Sequence, residues 1–356
     1  MRLRFITSTP MNVFAGSGTF VGITQLAAAV RALGVSVALV VPRVSFPIYT
    51  VQRVLFNQAL RFREGEPCDI TIGFDMDGYT VAKEGQGRHV ASIKGVIADE
   101  MRFESGLTKA TMRWQARCER LHVHRADLVI TTSRYAAQRI QELYGLTTVP
   151  SIVPELIDLA AWQRLLNGNP APPTPGKFVV LSVCRFYPRK RLHVLLGATE
   201  RLRSRISRLQ VRIVGGGPES ARLHLLCREK GLQSTVIWRE NITQSELIRE
   251  YNECDVFCLP SVQEGFGLVF LEAMAAAKAI VAARSGAAPE VVPHALLVEP
   301  DNEEALAEGI FRLYQDASLC QSLASQGLKL VKRFDAPEVA RVFLKTIAPL
   351  ASPAHV

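Results

Sequence analysis

Short β-branched runs alternate with amphipathic helical stretches along this 356-residue chain, and one segment interrupts the rhythm: Asn167-Gly168-Asn169-Pro170-Ala171-Pro172-Pro173-Thr174-Pro175-Gly176. Proline and glycine at that density cannot continue a helix or a central strand. Before it, strand-like runs fall at Arg2 to Thr7, Val35 to Val41, Asp69 to Phe74, His89 to Ile93, Leu128 to Thr131 and Ser151 to Val153. After it they fall at Phe178 to Val183, Val211 to Val214, Val236 to Trp238, Val256 to Leu259, Ala279 to Ala282 and Leu296 to Val298. Helical periodicity fills the gaps: Ile23, Leu26, Ala27, Val30 and Leu33 share one face and stop at Gly34. Strand and helix in this order build parallel sheets covered on both faces. The sequence therefore predicts an α/β chain of two doubly wound, Rossmann-like domains, residues 1–168 and 177–334, with a linker at 169–176. A last helix and tail follow at 335–356, with an apolar face of Val339, Val342, Phe343 and Ile347 and a frayed end from Ala351.

Composition narrows the class. Hydrophobic residues at 48% suffice for two cores. Met1-Arg2-Leu3-Arg4-Phe5-Ile6 reads as a strand running into polar Thr7-Ser8-Thr9 rather than as a signal peptide, and no apolar run is long enough to span a membrane, so a cytoplasmic location is expected. Seven cysteines without a C-x-x-C pair, Cys254 and Cys258 being four apart, point to reduced thiols rather than zinc. The formal charge of +9 admits an anionic partner. Its clusters, Arg189-Lys190-Arg191 and the arginines of 201–208, lack the interleaved aromatics of a nucleic-acid surface, which leaves a solvated patch or one facing an anionic membrane.

The chemistry concentrates in Pro260 to Ala275, where Glu264 and Glu272 stand among apolar and small residues. Val256 to Pro260 reads as a buried strand and Gly267 to Ala277 as a helix, which puts Glu264 and Gly265 in a turn at the carboxyl end of a strand. Ligands of open α/β sheets bind at such ends, where helix N-termini present free N–H groups. Singly, each glutamate is more often a solvated carboxylate. In the first half, Gly16 and Gly18 lie between strand one and helix one and permit close approach of a phosphate to that helix N-terminus. A dinucleotide fingerprint competes there, but Gly22 falls one residue late; Gly215-Gly216-Gly217 fails the same test because Ser220 stands where glycine is required.

Glu264-Gly265-Phe266-Gly267-Leu268 through Glu272 resembles the signature of the retaining glycosyltransferases of family 4 (glycosyl transferases group 1), which have the two-domain GT-B fold. Four further segments are similar in the order this family has: Val183 to Lys190, with Arg185 and Lys190 five apart; Val214 to Glu219; Ala126 to Ser133; and Ser285 to Glu290. Together they cover about residues 1 to 335. The resemblance implies two domains facing a cleft, with the last helix crossing back onto the first domain. It implies a nucleotide-diphosphate sugar as co-substrate, no other cofactor and no required metal. Arg185 and Lys190 would neutralise the diphosphate, Glu264 would position the donor sugar, and Glu272 would accept ribose hydroxyls. The N–H groups of Phe266, Gly267 and Leu268, with Gly265, would lie against sugar and phosphate.

Acceptor recognition would fall to the first domain, at Asp75, Asp77 and Lys94; a solvated turn or a cation site is the competing reading of the aspartates. Lys94 stands where relatives carry a histidine, Glu155-Leu156 where they carry asparagine and glycine, and Arg191 and Glu240 where they carry glycine. The implied function is sugar transfer to a glycan or lipid-linked acceptor in bacterial cell-surface polysaccharide synthesis, peripheral to the inner membrane and with no nucleic acid as partner. An epimerase or phosphorylase on the same fold, or a catalytically silent sugar-nucleotide or glycan binder, are the alternatives.

Overall fold

The structure, a computed structural model, describes every residue except 11–12, 44–47, 63–66, 84–87, 172–175 and 352–356, and leaves out the side chains of 13–17. Twelve strands form among the described residues: β1 Arg2–Ile6, β2 Ser36–Val40, β3 Ile70–Phe74, β4 His89–Ile93, β5 Leu128–Thr131, β6 Ser151–Ile152, β7 Phe178–Val183, β8 Leu209–Val214, β9 Val236–Arg239, β10 Val256–Leu259, β11 Ala279–Ala283 and β12 Leu296–Val298. Each of the twelve expected runs is a strand, displaced by at most two residues at its ends. Between them lie α1 Val13–Ala32, α2 Tyr49–Leu60, α3 Ile97–Glu100, α4 Gly106–Arg125, α5 Arg134–Tyr144, α6 Leu159–Gly168 and α7 Leu192–Leu202. The chain continues with α8 Ser220–Glu229, α9 Gln244–Glu253, α10 Leu268–Ala275, α11 Ala288–Val291, α12 Glu303–Gln315, α13 Ala317–Leu330 and α14 Ala336–Ala351.

The chain divides into two units, Met1–Leu156 with Ala336–Val356, and Ile157–Asp335. In the first, an all-parallel sheet has the order β2-β1-β3-β4-β5-β6. One face packs on α1 and α14, where Phe5 meets Phe74 edge-on at 5.2 Å and Phe343 at 6.0 Å. The other carries a second cluster of Met76, Ile93, Ala116, Val123 and Ile140. The last helix therefore returns to the first unit, as its apolar face requires: Val339, Phe343 and Ile347 are fully buried there, whereas Val342, read on the same face, is 44% exposed.

The second unit repeats the pattern with the order β12-β11-β10-β7-β8-β9. Its boundary differs from the one read at the proline-rich segment. Helix α6 belongs to the second unit: Asn252 Nδ2 donates to the carbonyls of Leu166 and Asn169 at 2.9 and 2.8 Å, and Trp162 meets Tyr251 edge-on at 5.9 Å. Proline and glycine mark a break in regular structure, whereas packing decides which core a helix joins.

Candidate active site

In the second unit the strand order reverses at β7, with β8 and β9 on one side and β10, β11 and β12 on the other. Loops leave in opposite directions at such a point and open a crevice at the carboxyl ends of the strands. The loops after β7, β8, β10 and β11 are tied together there by backbone bonds: Phe186 N–H donates to the Gly216 carbonyl at 3.0 Å, Val262 N–H to Arg189 at 3.0 Å, and Ala287 N–H to Glu264 at 3.0 Å. Gly215, at φ +130°, and Gly286, at φ +59°, allow this closeness; a Cβ on Gly286 would stand 2.6 Å from the Glu264 nitrogen.

This junction brings Lys190 and Glu264 into an ion pair, Nζ donating to Oε1, with both residues less than a tenth exposed. Lys190 ends a single 3-10 turn, Pro188–Lys190, and Arg191 then takes the left-handed conformation, φ 53° and ψ 36°. Glycine would adopt that backbone without cost, which accounts for the family's preference. Here arginine adopts it and pairs through Nε with Asp301 at 2.7 Å. Arg185 lies exposed on the same loop. Gly267, left-handed at φ 91°, caps α10, and Leu268 begins it. Gly265 is half-buried between Glu264 and the buried Phe266, whose ring meets Phe334 at 5.5 Å. Glu272, one turn into α10, accepts a hydrogen bond from the Tyr251 hydroxyl at 2.7 Å, and burial raises its pKa. Glu240 lies beyond the glycine turn, where His224 Nε2 meets its Oε1 at 3.0 Å while stacking on Trp238.

Two residues of the β10 loop were not singled out by sequence: Ser261 and Gln263, at 2% and 1% exposure, whose Oγ and Oε1 lack a hydrogen-bond partner among the described residues. Buried polar atoms left unsatisfied are uncommon and cluster where function demands them. Nothing in the sequence marks them except their place in the motif.

In the first unit, the sheet reverses between β1 and β3, and Asp75 and Asp77 follow β3 there. Asp75 is left-handed at φ 52°, and its Oδ1 accepts the N–H of Lys94 at 2.8 Å and of Gly95 at 3.4 Å; burial lifts its pKa to about 6. Asp77 is fully enclosed and accepts from Ser8 N–H at 2.6 Å, Ser8 Oγ–H at 2.7 Å and Asn57 Nδ2 at 2.8 Å, with the Arg53 guanidinium 3.5 Å away. Its acceptor capacity is occupied by protein, so Asp77 fixes β1 to α2 and does not offer its carboxylate to a ligand. Lys94 is likewise engaged: Nζ reaches both Glu155 oxygens at 3.0 Å, each side chain 6% exposed. The two departures from the family pattern thus compensate each other. Glu155 fits because residue 22 is glycine, where a Cβ would come within 2.5 Å of Oε2. Gly16 and Gly18 lie inside α1, which begins at Val13, rather than in a loop before it.

A buried histidine pair lies beneath this loop. His122 Nδ1 contacts the Asp75 carbonyl at 2.6 Å and must donate to it, which leaves His122 Nε2 to accept from His89 Nε2 at 2.8 Å. Burial depresses both, from 6.5 to about 3 for His89, with a smaller contribution from His122, and to about 4 for His122. A depressed folded value contributes stability above 6.5 that is lost as pH falls through the window down to about 4, because the unfolded chain takes the proton first. The nearby acids Asp75 and Glu119, both raised chiefly by burial, act in the opposite direction. They remain in a His122→Gln variant, so comparison isolates the histidine. Between pH 6.5 and about 5 the wild type is expected to lose about 2 kcal/mol relative to His122→Gln. Parallel urea titrations at the two pH values check this; a constant difference would show that His122 titrates normally.

Comparison with known proteins agrees with this architecture. Residues 169–330 match the model of "Glycosyl transferases group 1". The chain is similar to a GDP-mannose-dependent alpha-(1-6)-phosphatidylinositol monomannoside mannosyltransferase of Mycolicibacterium smegmatis, 30% identical over 184 residues, 47% of each chain. It is also similar to a D-inositol 3-phosphate glycosyltransferase of Kineococcus radiotolerans, 34% identical over 182 residues, 46% of this chain and 41% of that one. It spans about half the length of these curated relatives. Among solved structures, a sucrose-phosphate synthase from Thermosynechococcus elongatus superposes with a TM-score of 0.79 over 98% of both chains at 20% identity. The Anabaena protein HepE, solved with UDP and glucose, superposes at 0.72 over 98% of this chain and all of its own at 17% identity. At such identities these two speak for the fold. Residues 169–330, a little under half of the chain, are similar to the glycosyl transferases group 1 family, and the chain has the GT-B fold.

Proposed function

We propose that this chain is a retaining glycosyltransferase that moves a hexose from a nucleotide-diphosphate sugar to a glycan or glycolipid acceptor in bacterial cell-surface polysaccharide synthesis. The observation that carries the donor half is the buried Lys190–Glu264 pair at the reversal point of the second sheet, with Arg185 on the same loop and the α10 N-terminus beside it. Departure of a nucleoside diphosphate develops negative charge, which fixed cations and helix N–H groups stabilise best where water is excluded. A diphosphate at Lys190 competes with Glu264 for the ammonium and releases the carboxylate to sugar hydroxyls. Glu264 therefore positions and stabilises, while the leaving phosphate takes the acceptor proton on the same face of the sugar. Ser261 and Gln263 gain partners from the bound donor. Glu272, already accepting from Tyr251 through one oxygen, has the other for ribose. On the acceptor side Asp75 is the group to bind a hydroxyl, held by the backbone N–H groups of Lys94 and Gly95. The relatives' named donor, GDP-mannose, and the UDP of HepE support a nucleotide-sugar donor. Peripheral contact with an anionic inner membrane belongs to the same reading, as does independence of metal.

A thermal-shift panel of UDP, GDP, ADP and CDP sugars tests it, because a ligand that binds only the folded state raises the melting temperature. One nucleotide class is expected to stabilise the wild type by about 3 kcal/mol at a hundredfold excess over its Kd, and to do so in neither Glu272→Ala nor Arg185→Ala. No shift with any class would overturn the donor site and favour a glycan binder.

A further inference from the structure

Six non-glycine residues take the left-handed conformation among the described residues, and two of them, Arg191 and Asp301, are joined to each other by an ion pair. A side chain enters that region at a cost of about tenfold in population, because its Cβ crowds the following carbonyl oxygen. Aspartate offsets part of the cost with a short polar side chain that bonds locally; arginine has no such device. Arg191 nevertheless stands there, at φ 53° and ψ 36°, as the joint between two elements. Its N–H donates to the Pro188 carbonyl at 3.3 Å and closes the turn that carries Lys190, while its carbonyl accepts from Val194 N–H at 2.9 Å and opens α7. A right-handed residue at this joint would run the turn on into α7 and carry Lys190 around the helix axis, away from Glu264.

The group that meets Arg191 is delivered from α12. Asp301 directly precedes the α12 N-cap, Asn302, whose side chain accepts the Ala305 N–H at 2.9 Å. Helix α12 is seated on α7, with the Glu303 carboxylate lying where a Cβ on Gly197 would have to be. The Asp301 carboxylate is therefore held at a set place relative to α7, 2.7 Å from Arg191 Nε. We propose that Asp301 is a positioning residue for the diphosphate grip: by holding the Arg191 side chain it keeps residue 191 left-handed and Lys190 facing Glu264. The proposal rests on the donor site argued above. The two side chains are 26% and 50% exposed, so the pair contributes little as an isolated surface contact. Its leverage is that one strained backbone conformation decides where Lys190 points. With its charge met by Asp301, the Arg191 guanidinium serves the loop rather than the phosphates. Glycine at position 191 would take the same conformation without cost and would need no tether.

That difference gives the test. The full chain is titrated by calorimetry, well below its melting temperature, with UDP, GDP, ADP and CDP, and the nucleotide that binds wild type most tightly is carried through the variants. Asp301→Ala and Arg191→Ala should each weaken it about fivefold. Arg191→Gly should bind it within about twofold of wild type, and Arg191→Gly/Asp301→Ala should bind it equally well, because a residue left-handed at no cost leaves Asp301 nothing to hold. Glu308→Ala, which breaks the ion pair of α12 with Arg205, should leave affinity unchanged. An aspartate that only stabilised the fold would lower the melting temperature of Asp301→Ala without changing its Kd. Wild-type affinity in Asp301→Ala, or a loss in the double variant equal to that in Asp301→Ala, overturns the proposal. A loss of about fivefold or more in Arg191→Gly also overturns it, and assigns the guanidinium to the phosphates. Failure of wild type to bind any of the four nucleotides sinks the donor site and the tether with it, whereas every other outcome leaves the donor site standing.

Discussion

Lys190→Ala is expected to lower the rate of sugar transfer by about a thousandfold, the upper range for removing one preorganised group from developing negative charge. It is also expected to destabilise the second unit by about 3–5 kcal/mol, because Glu264 is left charged and enclosed without its partner. These effects have different origins, and a double variant separates them. Lys190→Met/Glu264→Leu removes both charges and refills the volume, so stability should return to within about 1 kcal/mol of wild type while activity stays lost. Urea unfolding and donor-dependent transfer, measured on the same three proteins, check this. Transfer by Lys190→Ala within tenfold of wild type would show that the diphosphate is held elsewhere. Recovery of activity in the double variant would show that the pair is only structural.

The second large effect is expected from a methyl group. Gly215 follows β8 with φ at +130°, and a Cβ there would lie 1.9 Å from the Cys184 carbonyl oxygen and 3.0 Å from its carbon. Neither side can yield cheaply, since Cys184 N–H is bonded to the Val214 carbonyl at 3.0 Å and Gly215 N–H to that of Arg239 at 3.1 Å. Gly215→Ala should therefore part the β7 loop from the β8 loop, displacing Arg185 and Lys190, and cost more than about 4 kcal/mol. Gly34→Ala is the comparison: its φ is +81° but nothing lies within 4 Å of the added carbon. It should carry only the left-handed strain of about 1 kcal/mol. Denaturant midpoints for the two variants decide the matter, and similar midpoints would mean that conformational strain, rather than contact, makes residue 215 a glycine.

The sheet-forming runs were readable because a parallel strand buried on both faces must be apolar throughout and because crossover helices carry a 3.6-residue period; both are local patterns. The same holds for α14, whose apolar face demanded a core. The Pro-rich segment was equally visible, yet it does not separate the units, since Trp162 and Leu166 of α6 are held by Tyr251 and Asn252 far along the chain. At the candidate donor site, Arg185, Lys190, Glu264 and Glu272 were legible in the sequence through the resemblance of their segments to the family signature, and the place of Glu264 through its turn at the carboxyl end of a strand. Only tertiary structure paired Lys190 with Glu264 across 74 positions. It likewise matched Lys94 to Glu155 across 61, and enclosed Asp77 among Ser8, Arg53 and Asn57 while leaving Asp75 its strained place under the Lys94 loop. Residue type and spacing fix what a strand or helix will be, because the forces that select them act within a few residues. Whether a carboxylate is open to a ligand or occupied by protein depends on partners brought together by sheet order, and no periodicity encodes that.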